Sequence, residues 1–161
     1  MNNTDATARI VAFFENLVPA DAERIAEFYS ADASFRDPFN DVRGSAEIAR
    51  VFRHMFEQLA DCRFIITEML AGDNGAVLIW DFTFRIRSWR PDETQSIHGA
   101  SHVRFAADGR VSYHRDYWDA AGELYSKLPV IGAVMRFLQR RLARYEGARD
   151  DAFDRAAANR R

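Results

Sequence analysis

Hydrophobic and polar residues change their period along the chain, and the changes mark its elements. From Thr7 to Leu17 (TARIVAFFENL), Ile10, Phe13, Phe14 and Leu17 recur at helical spacing, and Pro19 to Tyr29 repeats the pattern with Ile25, Phe28 and Tyr29. Two amphipathic helices are expected. Ala33 to Phe39 (ASFRDPF) reads as a short strand ending at Asp37, because the residue before Pro38 is pushed toward extended geometry. Gly44 and Ser45 start a third helix with Ile48, Val51, Phe52, Met55 and Phe56 on its inner side, ending near Leu59. From Arg63 the period drops to two. Arg63 to Leu70, Ala76 to Trp89, Ile97 to Phe105 and Gly109 to Asp119 are predicted strands, separated by Gly72–Gly75, the polar loop 90–95 and the turn Ala107–Asp108–Gly109. In the second of these Leu78, Trp80, Phe82, Phe84 and Ile86 share one face while Asp81, Thr83, Arg85 and Arg87 share the other, so the sheet is buried on one side only.

The order of elements predicts an α+β fold: a curved antiparallel sheet forming a cone, a cystatin-like roll, with the N-terminal helices on its concave face. Residues 1–128 make that domain. Residues 129–161 add a C-terminal amphipathic helix and a charged tail; Val130, Ile131, Val134, Phe137, Leu138, Leu142 and Tyr145 form its stripe, and Arg136, Arg140, Arg141 and Arg144 lie opposite. That stripe calls for burial, on its own domain, on a partner subunit or at the pocket mouth as a lid. A membrane surface is a further candidate, through peripheral contact over 129–145.

Composition narrows what such a cone could do. Thirteen Phe, three Trp and five Tyr in 161 residues suit a wide apolar cavity. A net charge of −2 gives no field for nucleic acid. The single Cys62 excludes an internal disulfide and any multi-cysteine metal site, and a reducing cytoplasm is the simplest setting. Neither a leader pattern nor a run of ~20 apolar residues is present, which predicts a soluble protein.

The candidate chemistry gathers in GRVSYHRDYWD. Strand alternation puts His114, Asp116 and Trp118 on one face and Tyr113, Arg115 and Tyr117 on the other. If the first face is the covered one, a carboxylate stands among aromatic carbon, where a general base is made. Asp37 before Pro38 is either an ordinary turn initiator or a carboxylate fixed at a strand end. His98 and His102 share a face but lie ~13 Å apart at ~3.3 Å per residue, too far to chelate one ion, so no metal is expected. They are assigned to an outer, intersubunit face with Asp81 and Arg85.

DASFRDPF, the helix start at Gly44 and GRVSYHRDYWD, in this order of elements, resemble the nuclear transport factor 2-like superfamily and, within it, the SnoaL-like group that includes polyketide cyclases and ketosteroid isomerases. The resemblance covers about residues 8 to 128. It implies that Asp37 falls where ketosteroid isomerases keep a proton-shuttling aspartate. It likewise sets Asp116 where limonene epoxide hydrolases keep one carboxylate of a water-activating site, near the acid or base of SnoaL-like cyclases. The isomerase's oxyanion tyrosine matches Phe13, one supporting tyrosine matches Phe52, the protonated aspartate matches Ser101, and the second supporting tyrosine survives as Tyr29. Phenylalanine cannot donate a hydrogen bond, and one oxyanion donor is worth ~3–4 kcal/mol of barrier, so rapid steroid isomerisation is not expected. The epoxide hydrolase's Arg-x-Asp falls near Ile79 and Asp81, where no arginine stands.

The expectation is a cofactor-independent proton-transfer enzyme of isomerase or cyclase type. It acts on an apolar, polycyclic or lipid-like molecule, with Asp37 and Asp116 as acid and base and His114 assisting. Phe13, Tyr29, Phe52, Trp80, Phe82, Ser101 and Trp118 form the expected substrate wall. The alternatives are a non-catalytic small-molecule-binding or dimerisation module and epoxide-hydrolase-like water activation by Asp116. A homodimer through the outer face is expected in each case.

Overall fold

The computed structural model describes residues 2–89, 91–123 and 137. The chain divides into two compact units, Met1–Leu124 and Tyr125–Arg161; apart from Phe137, the predicted helix over 129–145 and its tail lie outside the described residues.

Helix α1 (Asn3–Glu15) starts at Asn2, whose side chain accepts the Asp5 N–H, and buries Ala6, Ile10, Phe13 and Phe14 along one stripe. The second predicted helix is two pieces, a 3₁₀ helix (Pro19–Arg24) and one α-turn, α2 (Ile25–Phe28). Its last expected residue, Tyr29, instead opens strand β1 (Tyr29–Arg36). That strand stops before Asp37, whose carboxylate accepts the N–H groups of Phe39 and Asn40 and closes the chain into a turn. Strand β2 (Asp41–Arg43) follows; three residues are too few for a period to show. Helix α3 (Ser45–Gln58) begins after Gly44, which holds φ +98°, a conformation glycine adopts freely, and buries Ile48 and Phe52.

Four long strands complete the sheet: β3 (Leu59–Gly72), β4 (Gly75–Ile86), β5 (Thr94–Phe105) and β6 (Val111–Trp118), before one turn of helix, α4 (Ala120–Glu123). β3 starts four residues earlier than its alternation suggests, because Asp61 at φ +52° and a register shift between Ala60 and Arg63 break the pattern there. The strand order is β2-β1-β6-β5-β4-β3. Four joins are antiparallel as expected, but β1 runs parallel to β6, so the curved sheet is mixed. Register shifts in β3 and between Arg104 and Phe105 bend it.

The helices cover one face. Leu78, Trp80, Phe82 and Phe84 of β4 and Ile97 and Val103 of β5 are buried against them, each such large side chain contributing about 1.5–3 kcal/mol. The shift near Arg104 lets both Val111 and His114 of β6 turn inward, so that His114, Asp116 and Trp118 share the covered face.

Candidate functional site

Between α3 and the concave face lies a cavity of about 610 Å³, a size suited to a small organic molecule. Its walls are largely apolar, with Phe14, Phe35, Phe52, Phe64, Trp80 and Phe82 among them. In its wall β6 and β5 bring His114, Asp116 and Ser101 together.

These side chains form a continuous hydrogen-bonded row across four strands. Trp80 Nε1–H donates to Ser101 Oγ at 2.8 Å, so the Ser101 hydroxyl is left to donate to Asp116 Oδ1 at 2.5 Å. His114 Nε2 lies 2.8 Å from the same oxygen, and Tyr29 Oη lies 2.7 Å from His114 Nδ1. Tyr29 is fully buried, and desolvation, with the nearby Asp116 charge, pushes its phenol well above the ordinary range. The phenol therefore keeps its hydrogen and donates it to Nδ1. The reverse arrangement would strand a buried O–H without an acceptor, at a cost of about 1–3 kcal/mol. His114 then carries its hydrogen on Nε2 and donates it to Asp116. Every donor in the row points toward one carboxylate. Rings of Phe14 and Phe35 stand edge-on to the imidazole at 5.6 and 5.0 Å and fix its plane.

Asp37 also lines the cavity, yet both its oxygens are engaged locally. Oδ1 accepts the N–H groups of Phe39 at 2.7 Å and Asn40 at 2.6 Å, and the Asn40 amide lies within 3.0 Å of both oxygens. This is the turn-initiator arrangement.

Of the residues expected to form the substrate wall, Phe52, Trp80, Phe82, Ser101 and Trp118 line the cavity, whereas Phe13 and Tyr29 do not. Phe13 stacks on Phe28 at 4.1 Å, and its neighbour Phe14 takes the wall position. The two are adjacent on one apolar stripe, and helical spacing alone does not choose between them. Tyr29 stands behind His114 rather than in the cavity. That joint spans 85 positions of sequence, and no local pattern announces it. Phe35, Phe64 and Phe84 also line the cavity; inward strand parity, already used for β4, is the signal that finds them.

His98 and His102 lie on the other face. His98 Nδ1 meets Asp81 Oδ1 at 2.7 Å, and His102 packs against Tyr113 with ring centroids 5.3 Å apart. Among the described residues, no group of three or more His, Cys, Asp or Glu side chains could hold a metal ion. No helix among them is long and apolar enough to cross a membrane.

The SnoaL-like domain family model matches residues 10–114, more than half of the chain, and the chain belongs to that family. None of the curated proteins searched matches it. Among solved structures, an epoxide hydrolase of the limonene-epoxide-hydrolase-like type from M. tuberculosis superposes with a TM-score of 0.64 at 17% identity, over 85% of this chain and 94% of that one. A protein of ketosteroid isomerase-like fold from Catenulispora acidiphila, in complex with trimethylamine, gives 0.63 at 12%, over 74% and 88%. AclR, a proposed hydroxylase from Streptomyces galilaeus, gives 0.61 at 21%, over 79% and 97%. At these identities the likeness is one of fold.

Proposed function

We propose that this SnoaL-like protein is a proton-transfer enzyme of isomerase or cyclase type, with Asp116 as the group that takes and returns the proton. Its substrate is a largely apolar small molecule. The observation that supports this reading is the Asp116 carboxylate in the wall of a largely apolar cavity, with its Oδ1 held by Ser101 and His114. Both of these hydrogen bonds fall on Oδ1, and we assign Oδ2 to the substrate. In the reaction Asp116 removes a proton from carbon beside a carbonyl and the electron pair moves onto the carbonyl oxygen. The same carboxyl then returns the proton at a second carbon, or the enolate closes a ring by forming a bond to an internal carbonyl carbon, whose oxygen takes the C=O electron pair and receives the proton from Asp116. His114 and Ser101 hold the carboxylate in place throughout, and Tyr29 fixes the direction of the His114 bond. Such catalysis contributes about 10²–10⁴-fold and requires no cofactor.

The two-carboxylate expectation narrows to one working carboxylate, because Asp37 spends its acceptors on its own turn. This same fact favours the second reading, a binding module without catalysis. Turnover separates them. With an apolar bicyclic β,γ-unsaturated ketone and an aryl epoxide as probes, Asp116→Asn is expected to abolish whichever conversion the wild type performs; conversion that survives it would sink Asp116 as the working group, and a wild type that converts neither probe would favour the binding module.

We also propose a homodimer through the outer sheet face, where Ile65, Leu70 and Tyr117 are exposed beside the His98–Asp81 pair.

A further inference from the structure

The charged groups lining the cavity are unbalanced. Among the described residues Asp37, Glu47 and Asp116 supply three carboxylates, and Arg50 is the one guanidinium, already bound to Glu47 with its Nη1 3.1 Å from Oε2. Asp37 is satisfied by uncharged donors of its own turn. Asp116 receives a serine hydroxyl and an imidazole N–H. Among the described residues no lysine or arginine forms an ion pair with Asp116, although its side chain is only 18% exposed. A carboxylate so placed has no arginine or lysine partner among the described residues, and the same cavity is lined by Trp80, Trp118, Phe35 and Phe52. An organic ammonium satisfies both features at once, by pairing with the free carboxylate oxygen and by resting on aromatic faces.

We propose that the cavity is charge-selective, and that the molecules it holds best are apolar bodies bearing one protonated nitrogen, seated against Asp116 Oδ2. The inference rests on the reading of Asp116 as the working group and names the ligand class of that site. Neutral molecules bind through the aromatic walls alone. Anions are rejected, since each would meet the Asp116 carboxylate across a low-dielectric space.

Three probes of one shape test this on the full chain by calorimetry at neutral pH: 4-tert-butylbenzylamine, 4-tert-butylbenzyl alcohol and 4-tert-butylbenzoate. The amine is expected to bind at least about tenfold more tightly than the alcohol, a difference of about 1.4 kcal/mol, and the benzoate more weakly than either. In Asp116→Asn the preference for the amine over the alcohol should vanish. A second measurement needs no variant: in ¹³C-carboxyl-labelled wild type the amine should shift the Asp116 carboxyl resonance and the alcohol should leave it nearly in place. An amine that binds no better than the alcohol, or a preference that survives Asp116→Asn, overturns the proposal. Loss of turnover in Asp116→Asn without amine preference would leave the enzymatic reading standing and this one refuted. Amine preference without any Asp116-dependent turnover would do the reverse.

Discussion

Tyr29 and Cys62 are the residues at which burial changes acid–base behaviour most plainly, and they tie the site to stability. Burial pushes the Cys62 thiol up from 9.0 to about 11, with the Asp61 charge adding to the shift and Arg87 opposing it, and it pushes the Tyr29 phenol well above 10.0. Both groups bind their proton more tightly in the folded chain. Below the ordinary values both states are protonated and the contribution is fully present; as pH rises past them the unfolded chain ionises first and stability falls. Urea midpoints should therefore decline between pH 9 and about 11, and Cys62→Ala should flatten the early part of that decline. A midpoint that stays level across this window would contradict the burial of both groups. Ser101→Ala removes a donor to Asp116 and leaves the buried Trp80 N–H without an acceptor. It should lower stability by about 1–3 kcal/mol, and equal melting of variant and wild type would show that the row is not formed.

The packing of the Trp80 indole across β5 depends on Gly99. A Cβ on Gly99 of β5 would lie 2.4 Å from the Trp80 ring, so the indole lies directly over that backbone and its N–H reaches Ser101 because no side chain intervenes. Gly99→Ala should lower the melting temperature and alter tryptophan emission, and adding Trp80→Phe should recover part of the loss; no effect of the single change would mean the indole sits elsewhere. The same element shows what could be read in advance. The apolar alternation of β4 and the stripe of α3 were plain because their periods run over many residues. β2 was too short, the 3₁₀ segment shares its spacing with a helix over six residues, and the parallel join of β1 to β6 depends on contacts some 80 positions apart. At the site, the shared face of His114, Asp116 and Trp118 followed from parity. The service of Tyr29 to His114, and the capture of Asp37 by its own turn, follow from tertiary and side-chain geometry that no periodicity encodes.

For the molecule as a whole, two faces of one sheet carry different tasks. The concave face encloses the cavity, and the outer face exposes Ile65 at 40%, Leu70 at 55% and Tyr117 at 48%, together with charged neighbours. A self-complementary dimer would cover these side chains. Light scattering at micromolar concentration should give twice the chain mass of 18.5 kDa, and Tyr117→Glu should halve it; a monomeric wild type would refute the proposed assembly. The central claim is narrower: one carboxylate, Asp116, does the chemistry of the cavity. Its most direct test is kcat/KM for a single converted probe, compared between wild type, Asp116→Asn and Asp37→Asn after all three are shown to fold. The account predicts a loss of about 10²–10⁴-fold for Asp116→Asn and a change of no more than a few-fold for Asp37→Asn. Turnover by Asp116→Asn equal to that of the wild type, or a loss confined to Asp37→Asn, would contradict it.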